Sequence, residues 1–535
     1  MRRTIVILGL VLSTTALSPA IQVSGDTWGT WSADNNPYEV VGNLRVPPES
    51  TLVIEAGCYV EFQGYYAFVV DTSAVIQALG NAFNSINFTT SVTIPAWRGL
   101  RLLSRCDSSL FRYCLIERAK AEEDPPDDEL RKGGGLYIIE SNVRILNCRI
   151  QNNRASSGYG ASYGAGVYCR SSVVEFDSCE ILYNETSHNG GGLCFDDGQL
   201  IVTNCVFKEN EAYNQLGADI GGGILCTGSD IQILNSIFDG NFGGFSGGGI
   251  YMISSTAVIY NCVFCNNGTI DTGGGIASVH CHSIIKSNLM FNNDATEVGG
   301  VFIFGDSCRL INNTICNNLA FRGAGLCSNS ESLDSAFNNI IFNNTNYVGE
   351  KMNIYVPDGS TLDMQFSCIQ DGYPGEGNID LDPMFVDPDG GDFHLSWANF
   401  PIDDDTKSPC IDAGAPWLPL DPDSTRADIG ALPYDQLSDI FEDRPNLPLA
   451  IRLHQNYPNP FNTSTMILYE LPKQSRATLE IYDILGRKVA TLWDGSQEAG
   501  FHQLIWDASE VSSGVYFYRL TAGDHAESKG MLLVK

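Results

Sequence analysis

Gly190-Gly-Gly-Leu-Cys-Phe-Asp-Asp-Gly-Gln-Leu-Ile-Val-Thr-Asn-Cys-Val-Phe-Lys-Glu-Asn210 is one of eight copies of a single phrase between Gly133 and Asn344. Each copy opens on a glycine cluster, alternates apolar and polar residues to an Asn/Ser-x-x-Ile/Phe signature, and closes on Asn. The closing residues are Asn153, Asn184, Asn210, Asn241, Asn267, Asn293, Asn318 and Asn344, at steps of 31, 26, 31, 26, 26, 25 and 26. A period in this range marks a solenoid whose repeats contact mainly their neighbours. The apolar residues recur every second position, as in Leu200 and Val202, over runs too short for a helix. Stacking the repeats aligns one apolar column from Ile145 to Ala336 and another from Ile150 to Ile341. Strands so stacked lie about 4.8 Å apart. The fold class is all-β, a single-stranded parallel β-helix, with glycines at its corners. A polar column of Asn147, Ser178, Asn204, Asn235, Asn261, Ser287, Asn312 and Asn338 is expected to form hydrogen bonds along the axis.

The Gly-Gly-Gly-Ile-Tyr, Asn-Cys-Val-Phe and Asn-Asn elements resemble the right-handed parallel β-helix repeat proteins, a group related in fold to pectate lyases. Residues 46–62, 86–88 and 97–100 are similar to the opening coils of such proteins. Asp382-Pro-Met-Phe385, Ser408-Pro-Cys-Ile-Asp-Ala-Gly414 and Asp428-Ile-Gly-Ala431 are similar to their closing segment. The resemblance covers roughly residues 36 to 434 and implies right-handedness. It does not imply one activity, since the architecture hosts lyases, hydrolases, adhesins and coat-like proteins.

Residues 1–20 combine Arg2 and Arg3, an apolar run from Ile5 to Leu17, and Ser18-Pro19-Ala20, which reads as a signal peptide. The helix body is expected over 21–434, with residues 36–62 and 350–434 protecting its terminal coils, and an acidic, Pro-containing linker over 435–454. Strand-sized runs separated by turns then suggest a small immunoglobulin-like β-sandwich over 455–535. There, Asn456-Tyr-Pro-Asn-Pro-Phe-Asn462, Ile481-Tyr-Asp-Ile-Leu-Gly-Arg-Lys-Val489 and Ser513-Gly-Val-Tyr-Phe-Tyr518 closely resemble the type A C-terminal sorting domain of type IX secretion cargo. That resemblance implies a Gram-negative cell whose type IX machinery is the partner of residues 455–535. It also implies passage through the periplasm to the outer surface or the medium.

The chain carries 63 Asp/Glu against 31 Lys/Arg, a formal charge of −32. Residues 451–535 hold eight Lys/Arg and nine Asp/Glu, so the rest of the chain carries −31. Such a surface repels nucleic acid and anionic lipid, and disfavours polyanionic glycans unless calcium bridges them. No stretch reaches membrane-spanning length. Seventeen cysteines include Cys148, Cys179, Cys205 and Cys262 in one column. Stacked side chains point in parallel, which suits buried free thiols better than disulfide geometry.

Candidate chemistry is sparse. Asp196 and Asp197 form a carboxylate pair of the kind used by glycan hydrolases. His280 and His282, two apart, would share one strand face as metal ligands or an acid/base pair. Solvated turns and an exposed polar strand are the plain alternatives. The two 31-residue repeats carry their extra residues before the glycine cluster, in 154–165 and 211–220. These loops are expected to bring Tyr159, Tyr163 and Tyr213 near Phe242 and Phe245, where ring faces can stack on sugars. Asp421, Asp423 and Asp428 are candidate calcium ligands, with metal-free acidic turns as the alternative. The reading that follows is a secreted surface module that binds carbohydrate or a neighbouring surface as an adhesin or structural part, without catalysis. Its rival is a polysaccharide lyase or glycoside hydrolase.

Overall fold

The computed structural model describes residues 20–91, 93–122, 131–156, 162–213, 219–305, 307–329 and 333–436. In the tail it describes 452–453, 456, 461, 464–483, 486–497, 500–508, 511, 514–523 and 525–533. The apolar run 5–17 and most of the linker lie outside the described residues. The chain divides into two compact units, 1–436 and 437–535.

The first unit is a parallel solenoid. One coil runs through strands Leu136–Ile139, Asn142–Leu146, Arg149–Gln151 and Arg154–Ser156. Each strand pairs in parallel with its counterpart one coil on. The wall formed by Leu136–Ile139 and its counterparts, directly after the glycines, is called the glycine-side wall below. Both apolar columns exist as registers: Ile145 faces Phe176, and Ile150 faces Ile181. Phe207, Phe238 and Phe264 are fully buried and stack at centroid distances of 4.9 and 4.7 Å. Each ring contributes about 1.5–3 kcal/mol through burial and roughly 0.5–1.5 kcal/mol more through stacking.

The corners explain the glycines and the asparagines separately. Gly190 has φ +66°, a conformation that costs a side chain strain. Gly192 is needed for space instead, since a Cβ there would lie 2.6 Å from the Gly223 carbonyl oxygen. Asn147 and its counterparts share φ values of 51–57°, the left-handed region that Asn tolerates best after glycine. Only part of this column bonds along the axis, through Asn261 to Asn235 at 2.8 Å and Asn235 to Asn204 at 3.4 Å.

The continuous ladder belongs to the closing asparagines. From Asn153 to Asn344 each Nδ2 donates to the Oδ1 of the next at 2.9–3.0 Å, and Asn353 receives the last rung. The same Oδ1 accepts the backbone N–H of the preceding Asn, as in Asn210 to Asn241 at 3.1 Å. The side chains from Asn153 to Asn344 are at most 1% exposed, and Asn353 is 6% exposed. Their pairing therefore satisfies groups that would otherwise be buried and orphaned.

All seventeen cysteines are free thiols, sixteen of them buried. Cys179 lies inside the coil, accepts the Cys148 N–H at 3.4 Å and donates to the Ile145 carbonyl at 3.2 Å. Farther on, Asn288, Asn313 and Asn339 occupy the same column and form a second short ladder.

Of residues 350–434, only the first part lies along the last coil. Strands Ile354–Tyr355, Thr361–Gln365 and Cys368–Ile369 complete that coil, and Ile379 pairs along its edge. The following segment folds back against the outside of the wall. Phe393, Leu395, Trp397, Cys410 and Ile429 pack on Leu289, Cys316, Ile340 and Cys368. The pattern reads equally well as a cap, because these residues match apolar side chains that face outward from coils preceding the last.

The second unit is antiparallel. Ser464–Leu471 pairs with Gly500–Asp507, and a four-stranded sheet is ordered Lys488–Gln497, Ser475–Asp483, Gly514–Ala522, His525–Leu533. Ile467, Tyr469, Leu479, Ile481, Trp506 and Tyr518 fill the space between. Asn456 is 2% exposed, its backbone N–H donates to the Tyr518 hydroxyl oxygen at 2.7 Å, and its Nδ2 donates to Thr465 Oγ1 at 2.9 Å. Its place in the Asn-Tyr-Pro-Asn motif is thus structural.

Candidate binding wall

The residue two after each glycine cluster points outward on the glycine-side wall. These residues, continued by Tyr355 in a coil that has no glycine cluster, form the register Tyr137, Tyr168, Cys194, Leu225, Tyr251, Ala277, Phe302, Cys327, Tyr355. The wall has two halves. Over the first, Tyr137, Tyr168, Cys194 and Leu225 are at most 4% exposed, with Tyr163 and Ile220 from the two long loops packed against them. Lys132 Nζ sits 5.2 Å from the Tyr168 ring centre and Arg101 Cζ 4.2 Å from that of Tyr137. From Tyr251 onward the coils lack the five-residue insertion and the wall is more open, with Tyr251 itself packed against the edge of the covered cluster. Tyr251 and Phe302 are half-buried, and Tyr355 is 36% exposed. Phe304, in the next outward column, stacks beside Phe302 at 6.3 Å and meets His280 edge-on at 5.3 Å.

The expected aromatic group is therefore split. Tyr163 is half-buried in the covered half of the wall. Tyr213 meets Phe242 edge-to-face at 5.9 Å on a different edge of the coil, with Phe245 exposed nearby in sequence. Tyr159 lies outside the described residues.

The catalytic candidates do not converge. Asp196 lies on the glycine-side wall, while Asp197 turns the corner after it with φ 57° and accepts from Ser171 Oγ at 3.3 Å. His280 and His282 do not share a strand face. His280 occupies a left-handed corner with φ 53°, Cys281 points inward, and His282 opens the next strand. Strand parity fails there because the corner residue reverses the alternation. His280 follows Val279, which lies three coils from Asp196 in the same column, about 14 Å along the axis. That exceeds the separation of the carboxylate pairs of glycosidases.

The calcium candidates hold the backbone of the closing segment. Asp421 Oδ2 accepts the Asp428 N–H at 2.7 Å, and Asp423 accepts from Thr425 and Gln436. Asp428 accepts the Asp412 and Tyr434 N–H groups at 2.7 Å each. Burial, with the charges of Asp421, Asp412 and Asp423 around it, pushes its carboxyl up to about 8. Among the described residues, no group of three or more His, Cys, Asp or Glu is arranged to hold a metal ion.

Sequence reasoning missed one concavity. A cleft of about 920 Å³ is lined by Tyr65, Arg118, Lys120, Glu122, Tyr183 and Glu185, among others. Its charges are largely matched, with Lys120 on Glu122 at 2.8 Å and Arg154 on Glu185 at 2.6 Å. The Tyr65 hydroxyl donates to the Lys120 carbonyl, and Arg98 lies over its ring at 5.5 Å.

Residues 84–246 match the family described as the right handed beta helix region, and residues 455–535 match the secretion system C-terminal sorting domain. No curated protein and no solved structure matches the chain. Among the described residues no helix is long and apolar enough to cross a membrane. Fold and tail together identify a right-handed parallel β-helix protein carrying a type IX secretion sorting domain, exported to the cell surface or released from it.

Proposed function

We propose that the exported helix is a carbohydrate-binding, adhesive module that works through its side wall and performs no chemistry on its ligand. The observation that carries this reading is the more open half of the glycine-side wall, where Tyr251 at the edge of the covered cluster and Phe302 are half-buried and Tyr355 is 36% exposed. Solvent-facing rings on a rigid sheet present a flat apolar surface with polar edges, which suits the faces of sugar rings. The cleft beside Lys120 and Glu122 supports the rival reading of a lyase or hydrolase, because it brings cations and carboxylates together. Two measurements separate them. The purified protein should retain glycans on an array, and a Tyr251→Ala/Phe302→Ala/Tyr355→Ala variant should lose them. Release of reducing ends or unsaturated uronate from any glycan, abolished by Glu122→Gln, would replace the binding reading with the enzymatic one.

A further inference from the structure

We infer that the open wall takes one class of ligand, an uncharged, extended β-1,4-linked polysaccharide lying parallel to the helix axis with alternate sugars stacked on alternate coils. The inference rests on the binding function proposed above and adds the ligand's linkage, charge and direction. It starts from an alternation visible only in the register. Along the open column the order is Tyr251, Ala277, Phe302, Cys327, Tyr355, so a ring recurs every second coil with a small residue between. Ala277 and Cys327 are at most 3% exposed. They leave shallow steps between the rings rather than a continuous apolar ridge.

Two coils rise about 9.6 Å. A fully extended β-1,4-linked chain turns each sugar over relative to the last, so the same sugar face recurs every second unit, at nearly this interval. Rings placed at every coil would demand that both faces stack equally, whereas rings at every second coil fit one face only. Three rings across four coils thus match five consecutive sugars. The fixed strand spacing keeps the rings in line, so the ligand loses conformational freedom while the protein loses little.

Charge selects among such chains. The helix-bearing part of the molecule carries nearly all of the −32, which opposes uronates and sulfated sugars. At the open wall the cation beside Tyr355 is Arg322, whose Cζ lies 5.9 Å from the ring centre and which is paired to Glu297 at 3.1 Å. The cation beside Tyr355 is thus already paired and offers a polyanion little, while hydroxyl groups meet both a donor and an acceptor.

Binding of uncharged β-1,4-linked gluco-, manno- and xylo-oligosaccharides of two to eight sugars, measured by calorimetry, tests the idea. Affinity for one of these series should climb in steps of two sugars up to five or six, then level off. Phe302→Ala, the central ring, should cost about tenfold for the five-sugar ligand and far less for the two-sugar one. Phe302→Tyr should bind like the native protein, which separates loss of a ring from loss of fold. Length-independent binding, or preference for an oligouronate of equal length, would overturn the linear neutral chain while leaving a sugar-binding wall intact. No affinity for any of the three series would overturn it too. If the triple alanine variant also kept all glycan or cell adherence, the proposed function would fall with it.

Discussion

Removing one rung of the asparagine ladder is the sharpest test of how this solenoid is held. Asn241 makes four hydrogen bonds with its side chain. Nδ2 donates to Asn267 Oδ1 and to the Phe207 carbonyl, both at 2.9 Å. Oδ1 accepts the Asn210 N–H at 3.1 Å and Asn210 Nδ2 at 2.9 Å. In Asn241→Ala the Asn210 N–H and the Phe207 carbonyl lose these partners inside a fully buried interior. Each orphaned group costs about 1–3 kcal/mol, and the lost bonds between amides add roughly 1 kcal/mol. A loss of about 3–7 kcal/mol is expected, large against typical point mutations. The control is Asn261→Gly, in the outward column, where φ 55° suits glycine; it should cost at most about 1 kcal/mol. Urea unfolding followed by circular dichroism gives the two values. Hydrogen exchange should place the loosening of Asn241→Ala in the coils that hold Asn210 and Asn267. An Asn241→Ala effect no larger than that of Asn261→Gly would refute the ladder's role.

Three further outcomes are expected. The Asp428 carboxyl is raised from its ordinary value to about 8, so the folded state holds the proton more tightly than the unfolded chain. Its contribution therefore favours folding below about pH 4 and is lost as pH rises through 8; thermal unfolding followed at Trp397 should show this slope, and Asp428→Asn should flatten it. Burial pushes the Cys262 thiol up to about 12 and holds Cys179 well above its ordinary value, so iodoacetamide at pH 8 should label at most one of the seventeen thiols in the native protein. All seventeen should react in guanidinium without reductant, and fewer would reveal disulfides. Gly192→Ala forces a Cβ to 2.6 Å from a backbone oxygen and should cost about 1–3 kcal/mol, read as a lower melting temperature, whereas Gly228→Ser, with open space around it, should cost less.

The coils were legible because strand periodicity and stacking are both written in the side chains: Ile145 over Phe176 needs no other information. The asparagine ladder was misplaced by one column because Asn147 and Asn153 look alike in one dimension. The doublets Asn152-Asn153, Asn266-Asn267 and Asn292-Asn293 carry the missing signal, since the first member turns the chain left-handed and the second then points inward. His280 misled for the same reason, as a corner residue that breaks parity. The open wall was illegible as a motif because its residues are Tyr, Ala, Phe, Cys and Tyr. Counting two places past each glycine cluster brings the first four into line, Tyr355 joins them only through its pairing with Cys327, and their exposure depends on loop length in the coils before them.

The ladder also fixes the unit in which this protein can change size. Every rung mates at one height, so excising 242–267 would join Asn241 to Gly268, the register partner of Phe242, and leave all columns continuous. The molecule would shorten by about 4.8 Å without a seam. Cutting half a winding would strand every inward amide opposite the wrong neighbour. Growth and loss by whole turns is therefore the path of least resistance for this architecture, and a ruler of adjustable length is what such a surface offers its cell.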